Sequence, residues 1–297
     1  MILAARAEAA LASGLARLLG ALPPAAASNL GGAVAAAIGP MLPVSRVAHA
    51  NLRAALPELD AAGRRRVVRA VWEQMGRSAG EFPHVAGLQQ TASGPGWEVT
   101  GQDVLNALSA QGGPAIFVSG HIGNWEVLPH AARAFGLPVA SFYRAAQNKQ
   151  VDALIGRLRR SAGGDELPLF PKGARGARQA MGHLRGGGRL AMLVDQKLND
   201  GVPARLFGMP AMTAPAAAAF ALHFGCPVIP AVCRRIGPAR LRLVVEQPLV
   251  PPASGDRAAD ILGLTQQIND VLERWIRAEP GSWLWLHRRW PKEIVDV

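Results

Sequence analysis

The chain has 297 residues, 49% of them hydrophobic, and 32 Lys and Arg against 21 Asp and Glu give it a formal charge of +11. That length holds one large domain or two small ones, either able to bury a sizeable core. The charge calls for an acidic partner, whether nucleic acid, anionic lipid head groups or an acidic carrier protein. Nucleic acid is set aside: with a single Tyr, no zinc-ligand spacing and no helix-turn-helix pattern, the chain offers neither a stacking platform nor a reading helix. A membrane surface gains by that exclusion.

Taken in order, residues 1–22 read as a helix with Arg6, Glu8 and Arg17 in an Ala/Leu-rich stretch. No charge falls between Leu18 and Ser45, yet Pro23-Pro24, Ser28-Asn29, Gly31-Gly32, Pro40 and Pro43 punctuate that window. A bilayer span needs roughly 20 mostly apolar residues in regular structure. The expectation is therefore two short helices partly sunk in the membrane interface, with a helical pair simply packed on the domain as the competing reading. Arg6 and Glu8 also speak against a secretory signal. Residues 1–45 are thus set apart as an N-terminal hydrophobic segment from a single domain over 46–297. Ala61 to Glu81 reads as a helix in which Arg64, Arg65, Arg66, Arg69 and Arg77 alternate with Val67, Val68, Val71, Trp72 and Met75. Such a helix suits anionic lipid and equally makes an ordinary solvated face.

From about residue 97 strand and helix alternate. Strands are predicted at 115–119, 138–143, 166–170, 189–194, 227–234 and 241–247, and helices near 124–135, 148–161, 174–185, 213–224 and 256–278. That alternation predicts an α/β fold, a mainly parallel or mixed central sheet flanked by helices, with no internal repeat.

The first of these strands, Ala115 to Ser119, runs into Gly120-His121-Ile-Gly123-Asn124-Trp-Glu126. His121 then lies at the carboxyl end of a strand, the edge at which open α/β sheets bind ligands. A separation of five does not place His121 and Glu126 on one helix face, so His121 belongs in the turn and Glu126 in the first helical turn, with Asn124 as N-cap. A carboxylate so placed accepts the proton of one ring nitrogen and leaves the other free as a base. That is the base and orienter of a triad with a substrate hydroxyl in place of an enzymic nucleophile. The plainer alternative is a His at a strand end and a Glu at a helix start.

Arg144 follows the second strand on the same sheet edge. Arg157, Arg159 and Arg160 lie on the next helix, and Lys172, Arg175 and Arg178 on the third crossover. Arginines on converging loops suit a phosphorylated substrate, although at least half of these read as helix-surface charge. Asp195 ends the strand Arg189–Val194; there it pairs with an arginine, holds the His121 loop, or merely caps a turn. Thr213 introduces an Ala-rich helix whose small residues suit close packing first and whose amino end, in the other reading, meets a substrate phosphate or carbonyl oxygen, and Arg234 ends another strand. Trp275, Trp283, Trp285 and Trp290 gather with His287, Arg288 and Arg289 near the terminus, as a membrane-interface cluster or a core-capping tail. Cys226 and Cys233, the only cysteines, read as buried apolar residues in a reducing compartment, without disulfide framework or metal site.

Gly120-His121-Ile-Gly-Asn-Trp-Glu126 resembles the His-x4-Glu motif of the bacterial lipid A biosynthesis (lauroyl/myristoyl) acyltransferase family, relatives of the His-x4-Asp glycerolipid acyltransferases. Further blocks resemble the family in the same order: Leu193-Val-Asp195-Gln196, Leu206-Phe-Gly208 to Thr213, Pro227-Val-Ile-Pro230 with Arg234-Arg235, and Trp283-Leu-Trp285-Leu-His287-Arg288-Arg289-Trp290. Upstream, Asn51-Leu52, Leu56-Pro57-Glu58 and Gly101 also fit, so the likeness runs from about residue 45 to the end. The resemblance implies an acyltransferase without cofactor or metal. Its donor would be an acyl carrier protein thioester, or acyl coenzyme A, and its acceptor an anionic glycolipid, a Kdo-bearing lipid A precursor. It would work on the cytoplasmic face of the inner membrane.

His121 and Glu126 are carried over as the catalytic pair. Arg144 takes the family's Tyr-Arg position, one of Arg157 to Arg160, set down as Arg160, its downstream arginine, and Asp195 its acidic position, while Lys197 stands where an acidic or polar residue is usual. Backbone amides near Gly123, together with Arg144, are expected to stabilise the oxyanion, and Arg234 to reach the site. The donor tail would lie in a groove between helices. The rival readings are an acyltransferase for phosphatidylinositol mannosides, lysophospholipids or ornithine lipids, and a non-catalytic membrane-peripheral protein.

Overall fold

The structure is a computed structural model and describes residues 2–163 and 168–295. Four helices come first: α1 (Ile2–Ala21), α2 (Pro24–Ile38), α3 (Ser45–Ala55) and α4 (Ala61–Glu81). Alternation follows, with β1 (Gly96–Thr100), α5 (Gln102–Gln111), β2 (Ala115–Ser119), α6 (Val127–Ala134), β3 (Val139–Tyr143) and α7 (Lys149–Gly163). Next come β4 (Leu169–Pro171), α8 (Ala174–Arg185), β5 (Arg189–Leu193), β6 (Lys197–Leu206), β7 (Met209–Thr213) and α9 (Ala216–Phe224). The chain closes through β8 (Val228–Gly237), β9 (Arg240–Val245), α10 (Arg257–Ala278) and the short α11 (Lys292–Val295). The fourth strand falls at 169–171 rather than 166–170, and positions 166 and 167 of that expectation lie outside the described residues.

A strand buried at all five positions cannot sit at a wet sheet edge, and β2 takes the middle of a seven-stranded sheet ordered β1-β9-β8-β2-β5-β3-β4. All neighbours run parallel except β8 and β9, which pair antiparallel across a short turn. Alternate residues of β2 feed opposite cores, as the two-residue period of a strand requires. Ile116 and Val118 pack with Leu264, Ile268 and Leu272 of α10, and Ala115 and Phe117 with Leu105 and Leu108 of α5. The parallel arrangement brings the carboxyl ends of β2 and β5 side by side.

Two local features depart from the sequence expectation. The Gly31-Gly32 pair, read as a breaker, lies inside the continuous α2. A Cβ on Gly31 would stand 2.2 Å from the Gly76 carbonyl oxygen of α4, and one on Gly80 would stand 2.2 Å from the Ala27 carbonyl oxygen. Small residues four apart on each helix thus let the two backbones touch, and that packing offsets the roughly 1 kcal/mol a helical glycine forfeits. Second, β6 and β7 form a separate antiparallel hairpin that was not predicted. Its two-residue turn uses Phe207 at φ +55 and Gly208 at φ +71. Phenylalanine rarely signals such a turn, but here its ring is buried against Trp285 and Trp290.

Among the described residues no single helix is long and apolar enough to cross a bilayer, and the α2–α3 pair is bent by 83°. Leu11, Leu15 and Leu18 of α1, Leu30, Val34 and Ile38 of α2, and Met41, Leu42 and Val44 after it are nevertheless exposed, Met41 by 82%.

Candidate active site

Strand register builds the centre of the site. Ser119 of β2 is level with Leu193 of β5, and the ladder continues through the Val194 amide to the Ser119 carbonyl at 2.9 Å. His121 and Asp195 each lie two residues further on, so they emerge facing one another. The Asp195 carboxylate accepts the His121 backbone N–H on Oδ2 at 2.7 Å and bonds ring Nδ1 through Oδ1 at 2.8 Å. The Trp283 indole N–H donates to the same Oδ2 at 2.8 Å. With Nδ1 carrying the shared proton, Nε2 is left as the basic nitrogen.

The electrostatics follow from that pairing. Burial pushes the Asp195 carboxyl upward, but the charge and hydrogen bonds of His121 and the Trp283 donor outweigh it, and the pKa falls to about 2. Burial lowers the His121 pKa, and the charge and hydrogen bond of Asp195 reverse the effect to leave it raised. The dyad holds a carboxylate and an imidazole whose protonated form is favoured, the arrangement of a general base that must store a proton briefly.

Glu126, expected to orient His121, is engaged elsewhere. Its carboxylate takes a two-pronged grip from Arg159 of α7, Nε to Oε2 at 2.9 Å and Nη2 to Oε1 at 2.6 Å. The orienting hydrogen bond to His121 comes instead from Asp195, because β5 is the strand directly beside β2. Glu126 stays near enough for its charge to reinforce the upward shift of His121. The helix after the turn starts at Val127, three residues later than expected, and Asn124 does not cap it. Its side-chain amide donates to buried Glu81 of α4 at 2.8 Å. Glu81 also receives Ser28 of α2, Arg235 of β8 and the Ala239 amide, so one buried carboxylate ties the N-terminal helices to the His121 turn.

Gly123 is required by the bend: its φ is +58, and a Cβ there would lie 2.0 Å from the Cys233 carbonyl oxygen. Its N–H, expected to serve an oxyanion, donates to the Ser282 carbonyl at 3.0 Å. The Leu284 amide in turn donates to the His121 carbonyl at 3.0 Å. The C-terminal segment thus lies along the turn, and its tryptophans cap the core: Trp283, Trp285 and Trp290 are buried and meet edge to face. No membrane-interface role remains for them. Burial lowers the pKa of His287 in the same segment, and its Nε2 accepts the Lys197 amide at 3.3 Å.

The remaining expected residues scatter. Arg144 is exposed at the end of β3, which β5 separates from β2. Arg234 pairs with Glu279 at 3.5 Å rather than reaching His121. Thr213 is buried under Asn269 and Arg289, and α9 begins only at Ala216, so no helix amino end is presented there. Arg160 lines a cavity, while its neighbour Arg159 meets the motif. Lys172, bonded to Gln196 at 3.1 Å, lies close enough for its charge to oppose protonation of His121. Arg159 and Trp283 stood in the arginine group and the tryptophan block of the sequence, but nothing there assigned them to Glu126 and Asp195, and Glu81 carried no sequence signal.

Next to the dyad lies a largely apolar cavity of about 160 Å³, lined by Ser119, Trp125 and Glu126 of the same turn and not by His121 or Asp195 themselves. Trp125, Glu126, Arg159 and Arg160 stand on its polar side, and the His121 ring packs against Trp125 with centroids 4.9 Å apart. Inward it is walled by Phe117, Phe135, Ala191, Ala231 and Leu243. A base next to a greasy cavity with arginines at one end can abstract a proton beside an amphiphile. Among the described residues no cluster of His, Cys, Asp and Glu has the makings of a metal site.

A search of curated proteins finds no match to the chain. The family described as bacterial lipid A biosynthesis acyltransferase matches residues 4–292, nearly its whole length. The match covers more than half of the chain, and the chain, an α/β fold with the His121 turn at the end of a central strand, belongs to the bacterial lipid A biosynthesis acyltransferase family.

Proposed function

We propose that the protein transfers a fatty acyl chain from an acyl carrier protein thioester to a hydroxyl of a Kdo-bearing lipid A precursor. The observation that carries the mechanism is the Asp195–His121 dyad, with an apolar cavity next to it that Ser119, Trp125 and Glu126 of the same turn line. His121 Nε2 takes the acceptor's hydroxyl proton as the oxygen attacks the thioester carbonyl. The tetrahedral intermediate then expels the carrier thiolate, which leaves with that proton. Asp195 holds the ring and balances the imidazolium. Lys172, whose charge reaches His121, supplies positive potential to the developing oxyanion. A covalent acyl-enzyme is unnecessary. The thiols of Cys226 and Cys233 are pushed up by burial to about 11 and about 12, which leaves them without nucleophilic thiolate.

The donor chain would enter the cavity past Trp125 and end against Phe117, Ala231 and Leu243. Arg159 and Arg160 at its polar side suit the acceptor's phosphates or an acidic carrier surface. The exposed leucines of α1 and α2, with the excess positive charge, support a seat on an anionic membrane surface. The test is an assay of purified protein with acyl carrier thioesters and a lipid A precursor, the products weighed by mass spectrometry. Acylated precursor from the wild type and a loss of roughly 10²-fold or more in His121→Ala are expected. Transfer at the wild-type rate by that variant refutes the assignment, and product on a different lipid only would redirect the acceptor.

A further inference from the structure

Away from the dyad, four basic side chains converge where α3 and α4 meet. His49 and Arg53 of α3 and Arg64 and Arg65 near the start of α4 line, with Ala61, an open cleft of about 360 Å³. The His49 pKa is lowered by partial burial and then by the charges of Arg64, Arg53 and Arg65 together. Those charges give the cleft a positive potential. Among the described residues no carboxylate lies within 4.0 Å of Arg53, Arg64 or Arg65. Asp60 stands at the same helix start, but its Oδ1 accepts the Gly63 amide at 2.6 Å as the α4 cap. Arg64 Nη1 donates to the Leu59 carbonyl, which fixes one guanidinium in place. The positive end of the α4 dipole adds to the same potential.

Position selects the ligand. Exposed Met41, Leu42 and Val44 lead directly into α3 and follow in the chain the exposed Leu30, Val34 and Ile38 of α2. His49 lies five residues beyond Val44, about 7.5 Å along a helix. The head-group layer on each side of a bilayer is of about that depth, roughly 5–7 Å. With the apolar face at the hydrocarbon edge, the cleft stands at the level of lipid phosphates, and guanidinium forks match phosphate oxygens. We propose that this cleft binds the phosphate of an anionic membrane phospholipid, and so fixes the orientation in which the protein sits on the membrane. The inference rests on the membrane-surface reading above.

The experiment is vesicle pelleting of the full chain with phosphatidylcholine alone and with added phosphatidylglycerol. It compares wild type, Arg53→Gln/Arg65→Gln, and a charge-matched control, Arg133→Gln/Arg185→Gln, on other exposed helix positions. Circular dichroism confirms that each folds alike. The cleft pair should lose about 30-fold in apparent affinity for anionic vesicles, as expected for two cations at a lipid surface; the control pair should change much less. Glycerol phosphate should release the wild type from anionic vesicles more effectively than sodium chloride of equal ionic strength. Equal losses in the two pairs, or equal release by the two salts, would mean diffuse charge and overturn the site. Wild type that binds neutral vesicles without preferring anionic ones overturns the site and leaves the membrane reading standing. Failure to bind any vesicle removes both.

Discussion

Replacing Asp195 by Asn keeps the shape of the side chain and tests the dyad directly. In the wild type two N–H donors, from His121 and Trp283, converge on Oδ2, while Oδ1 faces ring Nδ1. Asparagine will keep its oxygen toward the two donors and turn its NH2 toward Nδ1. The ring must then accept there and carry its proton on Nε2, the wrong tautomer for a base. The same loss of tautomer control in a serine protease triad costs about 10⁴ in kcat. Here a fall of roughly 10²–10⁴ in kcat with little change in KM is expected. The pH profile supplies a second reading. Activity rises with pH as His121 loses its proton, and Asp195 is what raises its pKa against the opposing effect of burial. Any residual activity of the variant should therefore have its acid limb at lower pH. The assay is steady-state transfer between carrier thioester and lipid A precursor over a pH series. Near wild-type kcat with an unmoved acid limb in Asp195→Asn would refute the dyad, and if Glu126→Gln moved the limb instead, Glu126 would be the orienting group.

Stability should report the same pair. The Asp195 pKa of about 2 against an ordinary 3.8 corresponds to about 2 kcal/mol of native stability. This contribution is present above the ordinary carboxylate pKa and lost as pH falls through the folded value. The difference in melting temperature between wild type and Asp195→Asn should narrow between about pH 4 and about pH 2, as followed by circular dichroism. Trp283→Phe removes one charge-assisted donor, worth about 1.5–3 kcal/mol; turnover should drop by about 10-fold or more, read in kcat. Glu81→Gln leaves Arg235 buried without its counter-charge, and a loss of roughly 3–5 kcal/mol should appear in denaturant melts. Ala191→Leu or Ala231→Leu fills the cavity wall and should shift preference toward shorter acyl chains in competition assays, with His121 chemistry intact.

The sequence alone settled the strand and helix periods, the placing of His121 and Asp195 at strand ends, and the family, because those are written in short runs and ordered motifs. The strand at Ala115–Ser119 is legible from five consecutive apolar or small residues bounded by Gly and Pro, since local composition decides burial there. Which carboxylate meets His121 was decided only when β5 came to lie in register beside β2, a relation between segments 74 residues apart. Five-residue spacing favoured Glu126 because nothing in a linear chain shows that Arg159 occupies it. The glycines at 31 and 32 likewise read as an interruption until two helices are close enough for Gly31 to need its missing side chain. Phe207 at positive φ and the sinking of the terminal tryptophans into the core follow from packing against one another. Backbone conformation and burial are local preferences that a packed interior overrides wherever the contact energy exceeds the roughly 1 kcal/mol those preferences are worth.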